Sequence, residues 1–318
     1  MKNILAVLPE GAEKYRDILN KTAEGCVVKY LSPGEVTEKD VDEANVIIGN
    51  VPPALLHEQN LEFVQLTSAG ADAYVKEGLL KRDTILCCCT GAYSQTVAEH
   101  AVAATLMLQK GLHLYRDAQS RSEWIKGGST SSMNGATVII VGLGDIGCCY
   151  ARQVKALGAY VIGVKRRLSE KPEYVDELYT TDAFDDIVAR GDVIVSILPG
   201  TDATYHFFTE ERFAKMKKSA IFVNCGRGTA VSCDTLFNVL SNNIIASAAV
   251  DVFETEPLPE TSPLWKLENL VLTPHASGFF HLPATMDRVM NICIGNLKAW
   301  LNGKNPVNIV DYNTGYKK

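Results

Sequence analysis

The stretch Gly142-Leu143-Gly144-Asp145-Ile146-Gly147 follows an apolar run, Thr137 to Val141, and opens a helix-like run, Ile146 to Leu157. A Gly-x-Gly-x-x-Gly alone constrains little. Set between a strand and a helix, it fixes a nucleotide-binding βα unit. The first glycine permits the tight turn, the second lets the backbone approach a pyrophosphate, and the third allows the helix to pack closely on the strand. Free N–H groups at the helix start then face the phosphates. Gly142, Gly144, Asp145, Ile146 and Gly147 are therefore expected to bind a dinucleotide.

A second strand, Tyr160 to Val164, leads to the position that reads the adenosine ribose, and Lys165, Arg166 and Arg167 stand there. An enzyme using NAD usually places Asp or Glu at this point to bond the ribose 2′-hydroxyl. A carboxylate would repel a 2′-phosphate, whereas three adjacent cations attract one, and Arg can hold it bidentately. The competing reading is a solvated basic turn. The missing acid favours NADP(H) as the preferred cofactor, with NAD(H) as the second choice.

At 318 residues the chain is long enough for two domains with separate cores. A net charge of −6 gives no reason to expect nucleic acid or a membrane surface as partner. Apolar runs such as Ala101 to Leu108 are far too short to span a bilayer. Ile4 to Leu8 breaks at Pro9-Glu10 and reads as a strand, not as a signal peptide. Nine cysteines, an odd number, include the neighbours Cys87-Cys88-Cys89 and Cys148-Cys149 in apolar settings, without a Cys-x-x-Cys. Structural thiols in a reducing cytoplasm are expected, and no metal.

The first ninety residues alternate apolar runs with polar, helix-like segments. The runs are Ile4–Leu8, Cys26–Leu31, Val46–Gly49, Phe63–Leu66 and Ile85–Cys89, the strands of a small parallel α/β domain without a phosphate loop. Thr96 to Ala118 reads as one long, widely apolar helix suited to a domain junction or subunit interface. Val193–Leu198, Ala220–Asn224, Ile244–Val250 and Leu270–Thr273 then join the first two strands in a six-stranded doubly wound sheet. A last helix near Ala284 to Leu301 leads back to the first domain.

Ligands of open α/β sheets lie outside the carboxyl ends of the strands. Just past three of those ends stand Arg227, Asp251 with Glu254 and Glu256, and His275. An arginine, a carboxylate and an imidazole suit hydride transfer to or from a 2-oxo or 2-hydroxy acid. Arg227 would bind the substrate carboxylate or polarise its carbonyl. His275 would give or take the proton, and Glu256 would orient the imidazole and favour its acid form. Singly, each of these residues is more often solvated or structural; their joint placement raises all three. His281 competes with His275 but follows Phe279-Phe280, farther from the strand end. His57, His100, His113 and His206 have no comparable setting.

At these residues the chain resembles the D-isomer-specific 2-hydroxyacid dehydrogenases. The resemblance runs through Gly142–Gly147, Leu198-Pro199, Asn224-Cys225-Gly226-Arg227-Gly228, Asp251-Val252-Phe253-Glu254-Thr255-Glu256-Pro257-Leu258-Pro259 and Thr273-Pro274-His275. It implies Arg227, Glu256 and His275 as the catalytic set and Asp251 as acceptor for the nicotinamide amide. Leu198, Pro199, Thr204, Cys225, Gly226 and Gly278 are expected alongside the cofactor. The loop Ser68-Ala69-Gly70-Ala71-Asp72 looks like a backbone binder of substrate carboxylate through Ala69 and Gly70. Tyr93 is a further candidate contact, although structural turn roles suit the loop and Tyr93 nearly as well.

The resemblance also implies a doubly wound Rossmann domain, residues 96–287, and a smaller flavodoxin-like α/β domain from residues 1–95 and 288–318, with the site in the cleft between them. A homodimer through the Thr96–Ala118 region and the arm containing Trp124 is implied too. Lys165 departs from the family's usual acid. Val51-Pro52, Tyr93, Trp265 and Phe279-Phe280 are candidate pocket walls. Formate oxidation is disfavoured because formate dehydrogenases resemble a His–Gln pairing, whereas phosphite oxidation is compatible with the triad. A non-enzymatic NAD(P)H-sensing regulator would share the fold, but nothing marks a partner surface and the catalytic set is intact.

Overall fold

The structure, a computed structural model, describes residues 1–127, 130–278 and 282–317. The chain divides into two compact units, Met1–Tyr93 with Phe280–Lys318, and Ser94–Phe279. These crossings differ from those at 95/96 and 287/288 expected above. The second crossing differs because the helix Pro283–Leu301 stays whole, packing on strand and helix of the first unit.

In the first unit, β1 (Asn3–Val7), β2 (Val27–Leu31), β3 (Val46–Gly49), β4 (Phe63–Gln65) and β5 (Ile85–Cys87) form one parallel sheet. The order β2-β1-β3-β4-β5 is that of flavodoxin-like folds. Central strands of such a sheet are covered on both faces and need continuous apolar runs. Ile4 to Val7 and Val46 to Ile48 supply them, all essentially inaccessible to water. The helix Pro283–Leu301 closes over this sheet: Trp300 stacks on Phe63 with ring centroids 5.4 Å apart. Asn296 donates to the buried Gln65 side chain at 2.7 Å, so neither amide is stranded.

The second unit holds β6 (Thr137–Val141), β7 (Tyr160–Lys165), β8 (Glu177–Thr180), β9 (Val193–Ser196), β10 (Ile221–Asn224), β11 (Ser247–Val250) and β12 (Leu270–Leu272). They form a parallel seven-stranded sheet in the order β12-β11-β10-β9-β6-β7-β8. Six strands were expected. The seventh, β8, lies at the sheet edge, and all four of its residues are only half-buried. It lacks the long apolar run that marks its neighbours. The chain order reverses at β6 and β9, the point where such sheets open to ligand.

The single long helix expected over Thr96–Ala118 is two, Ser94–Lys110 and Leu112–Ser120. Gly111 between them takes φ +64°, a torsion that ends a helix and favours glycine. The first of the two buries Val97, Ala98, Ala101, Ala104, Thr105 and Leu108. It lies on the helix Asp145–Ala156, with the Thr105 and Tyr150 hydroxyls 3.0 Å apart. Elsewhere the core carries tilted and edge-on aromatic contacts among Phe184, Phe207, Phe208, Phe213 and Phe222, with centroids 4.9–6.1 Å apart. Among the described residues, no helix is long and apolar enough to cross a membrane.

Candidate active site

Between β6 and the helix Asp145–Ala156 the glycine loop is built by close approach. Gly142 has φ +106°, and a Cβ there would lie 2.4 Å from the Ile197 carbonyl oxygen. A Cβ on Gly147 would lie 2.3 Å from the Gly142 oxygen. Helix, turn and neighbouring strand therefore lock together only without side chains at these two points. Gly144 and Asp145 are exposed at the helix start, and Ile146 is half-buried. A twelve-residue helix opening on an exposed glycine turn fits the diphosphate of a dinucleotide, because the amides of its first turn point out of the helix.

Beyond β9, Leu198 is buried and Pro199 half-buried. Thr204 donates its hydroxyl to the Pro199 carbonyl at 2.5 Å and accepts from the Thr201 amide at 3.0 Å, closing that loop on itself. Beyond β10, Asn224 is fully buried and holds the next turn from both sides. Its Oδ1 accepts from the Gly226 amide at 3.2 Å, and its Nδ2 donates to the Arg227 carbonyl at 3.1 Å. Arg227 is half-buried, and its stem lies against Gly200, where a Cβ would stand 3.3 Å from Cγ. Cys225 sits inside the turn; burial, with the Asp251 carboxylate nearby, pushes its thiol well above the usual range.

The two remaining turns are joined by Asp251, which is 1% exposed. Its Oδ1 accepts from the Ala276 amide at 2.8 Å and the Thr273 hydroxyl at 2.5 Å, and its Oδ2 from the Ser277 amide at 3.1 Å. The His275 amide donates to the Asp251 carbonyl at 2.8 Å. His275 has φ +52°, a torsion costly for a residue with a side chain. The bonds to Asp251 hold it there. Its Nδ1 donates to Glu256 Oε2 at 2.7 Å, while Glu256 Oε1 accepts from the Phe253 amide at 2.9 Å. Glu256 and His275 are thus brought together across two adjacent strand ends, and both are partly open to water. Gly278 is half-buried at the end of the same turn. Phe279, Phe280 and His281 lie outside the described residues.

At the end of β7, Lys165 donates to the Ser169 hydroxyl at 2.9 Å, and Arg166 and Arg167 are exposed. In the other unit, Ala69 and Gly70 lie in a half-buried bend past β4. Asn50 Oδ1 accepts from the Thr67 amide at 2.9 Å, and Ser68 donates to the Gly70 carbonyl at 2.8 Å. Tyr93 is buried, and its hydroxyl donates to the Thr67 carbonyl at 2.7 Å. Burial holds that hydroxyl far above the ordinary phenol range. Tyr93 is a brace for the loop. Of the other candidate walls, Val51 is buried and Trp265 is half-exposed, donating to the Pro259 carbonyl.

Of the histidines set aside above, one has a setting comparable to that of His275. His206 Nε2 donates to Glu254 Oε1 at 2.5 Å, a second imidazole–carboxylate pair on the turn that carries Glu256. His100 Nε2 lies 3.2 Å from the Thr273 hydroxyl. His57 lies 3.2 Å from Asp42 and 3.6 Å from Glu38, all three exposed. Asn224 and Glu254 were visible within the recognised motifs, but nothing in their spacing announced what each would hold.

Parallel sheet order, a glycine-walled helix start and a histidine–glutamate pair at neighbouring strand ends define a dinucleotide-dependent dehydrogenase. The model of the D-isomer specific 2-hydroxyacid dehydrogenase NAD-binding domain matches residues 102–277, more than half of the chain. A glyoxylate/hydroxypyruvate reductase B of Klebsiella pneumoniae is 31% identical over 295 residues, covering 89% of this chain and 90% of that protein. A D-isomer specific 2-hydroxyacid dehydrogenase family protein of Aeromonas salmonicida superimposes with a TM-score of 0.85 at 31% identity, over 98% of this chain and 99% of the other. A D-isomer specific 2-hydroxyacid dehydrogenase of Xanthobacter autotrophicus, solved with NADPH and MES, gives 0.80 at 26% identity, over 99% and 100%. The chain belongs to the D-isomer specific 2-hydroxyacid dehydrogenase family, and it is an NAD(P)-dependent oxidoreductase.

Proposed function

We propose that this protein reduces a small 2-oxo acid to the D-2-hydroxy acid, with NADPH preferred over NADH. The observation that carries the reading is the His275–Glu256 bond at 2.7 Å, set beside the turn of Arg227. When bound, the reduced dinucleotide supplies the hydride. Arg227 would hold the substrate's carboxylate or carbonyl oxygen through its planar fork of donors. His275 would deliver a proton from Nε2 to that carbonyl oxygen, since Nδ1 is engaged by Glu256. Glu256 fixes the ring's direction and balances its charge. Asp251, already committed to the His275 turn, would also accept from the carboxamide. The amides of Ala69 and Gly70 would bind the substrate carboxylate.

Lys165, Arg166 and Arg167, with the Ser169 hydroxyl beside Lys165, would hold a 2′-phosphate. The relative solved with NADPH supports this choice. Leu112, Leu114, Tyr115, Trp124 and Ile125 expose an apolar surface within one short segment, with Trp124 99% accessible. We assign it to a homodimer contact, in a protein of the cytoplasm.

NADPH oxidation measured with glyoxylate, hydroxypyruvate, pyruvate and longer 2-oxo acids tests the activity. In the same assay His275→Gln lowers kcat by about 10²–10⁴, the usual worth of a positioned proton donor, while NADPH affinity holds. Equal losses in turnover and cofactor binding would instead assign His275 a folding role.

A further inference from the structure

Glu254 stands two residues before Glu256 and is the less exposed of the two. Its Oε1 accepts from His206 Nε2 at 2.5 Å, and its Oε2 accepts from the backbone N–H of Cys233 at 2.9 Å. Cys233 is the first residue of the helix Cys233–Ser241, an end where a carboxylate is favoured. His206 is equally constrained. Its φ is +47°, and the rings of Tyr205 and His206 stack with centroids 3.9 Å apart. Buried Phe207 and Phe208 follow it into the aromatic core.

The backbone around His206 shows what the pair is tied to. The His206 amide donates to the Thr229 carbonyl at 2.8 Å, and the Phe208 amide to the Ala230 carbonyl at 2.9 Å. Thr229 and Ala230 continue the turn of Arg227, which the buried Asn224 pins independently. The same turn touches the segment of Glu254 and Glu256 directly: a Cβ on Gly228 would stand 2.0 Å from the Phe253 carbonyl carbon and oxygen. His206 therefore bonds to both turns, through its amide to the one with Arg227 and through its imidazole to the one with Glu256.

We propose that the His206–Glu254 pair is a positioning device for catalysis. It acts as a strut from the fixed Arg227 turn to the 251–256 turn, and it keeps Glu256 within reach of His275. Neither residue of the pair is assigned a contact with substrate or cofactor. The proposal rests on the reading of Glu256 and His275 given above. Its rival is an ordinary stabilising cross-link such as Arg212–Asp185, which would lower stability when cut and leave the chemistry alone.

A double-mutant cycle separates the two, with glyoxylate and NADPH as probes and kcat expressed per NADPH-binding site. His206→Leu lowers kcat roughly 10- to 100-fold, the usual cost of a misplaced catalytic group, with NADPH affinity unchanged. His206→Gln, whose amide N–H can still reach Glu254, recovers most of the loss. In a Glu256→Gln background, His206→Leu costs less than about twofold more. Multiplicative losses in that background, or an undiminished kcat for His206→Leu, overturn the proposal. Should His206→Leu not fold, His206→Asn serves in the same cycle, because Asn tolerates the left-handed backbone and is too short to reach Glu254. If His275→Gln retains full turnover, the underlying reading fails instead, and that outcome is distinct from additivity.

Discussion

Two imidazoles in left-handed backbone, His206 and His275, each meet a glutamate of the same short turn. Neither torsion is one a residue with a side chain adopts readily, and each costs of order 1–3 kcal/mol. The surrounding bonds hold them: the Asp251 carbonyl and carboxylate for one turn, Thr229 and Glu254 for the other. The contact between the turns of Arg227 and Glu256 is just as demanding. Gly228→Ala sets a methyl 2.0 Å from backbone that cannot swing aside, so one turn must shift by more than an ångström. We expect kcat to fall by about 10² with glyoxylate and NADPH, because displacements of that size misplace reacting groups. Wild-type turnover in that variant would mean that the turns move without consequence. The placement of Arg227, Glu256 and His275 just past strand ends was legible because each follows a readable strand. The partnership of His206 with Glu254 was not, since 48 residues separate them and only the fold brings them together.

Among the elements, legibility followed apolar continuity. β1, β3 and β6 are covered on both faces, and their uninterrupted apolar runs gave them away. β8 has only half-buried residues, so Glu177–Thr180 was not read as a strand. The break at Gly111 was hidden for the opposite reason, because apolar residues continue on both sides of it. Strand ends were overrun where turns begin. β9 stops at Ser196, before the Ile197–Leu198 backbone that Gly142 backs onto, and β11 starts at Ser247, after the turn at Asn243, whose φ is +51°. The segment past β7 carries its own prediction. Lys165→Asp with Arg166→Ala removes two cations and adds an anion where the 2′-phosphate is expected, so kcat/KM shifts from NADPH toward NADH by at least about tenfold. Unchanged ratios for the two cofactors would return this turn to plain solvation.

On the scale of the whole molecule, two parallel sheets with different strand orders share one chain that leaves the first unit and comes back to it. Both orders belong to the small set of doubly wound folds, so a glycine loop and eleven readable strands were enough to establish the architecture. Assembly was less open to reading, because an exposed tryptophan has no signature until the fold shows what covers its neighbours. Trp124→Ser with Leu114→Ser converts a dimer to a monomer in sedimentation velocity, if the apolar segment 112–125 is the contact. A dimer that survives both substitutions would place the interface elsewhere.

The order β12-β11-β10-β9-β6-β7-β8 has a practical corollary. The basic turn hangs from a strand on one flank of β6, whereas the arginine, glutamate and histidine hang from strands on the other. On the function proposed above, coenzyme choice and proton traffic would be written in separate halves of the sheet. Substitutions in the basic turn are then expected to leave the proton-transfer residues as they stand, and the reverse.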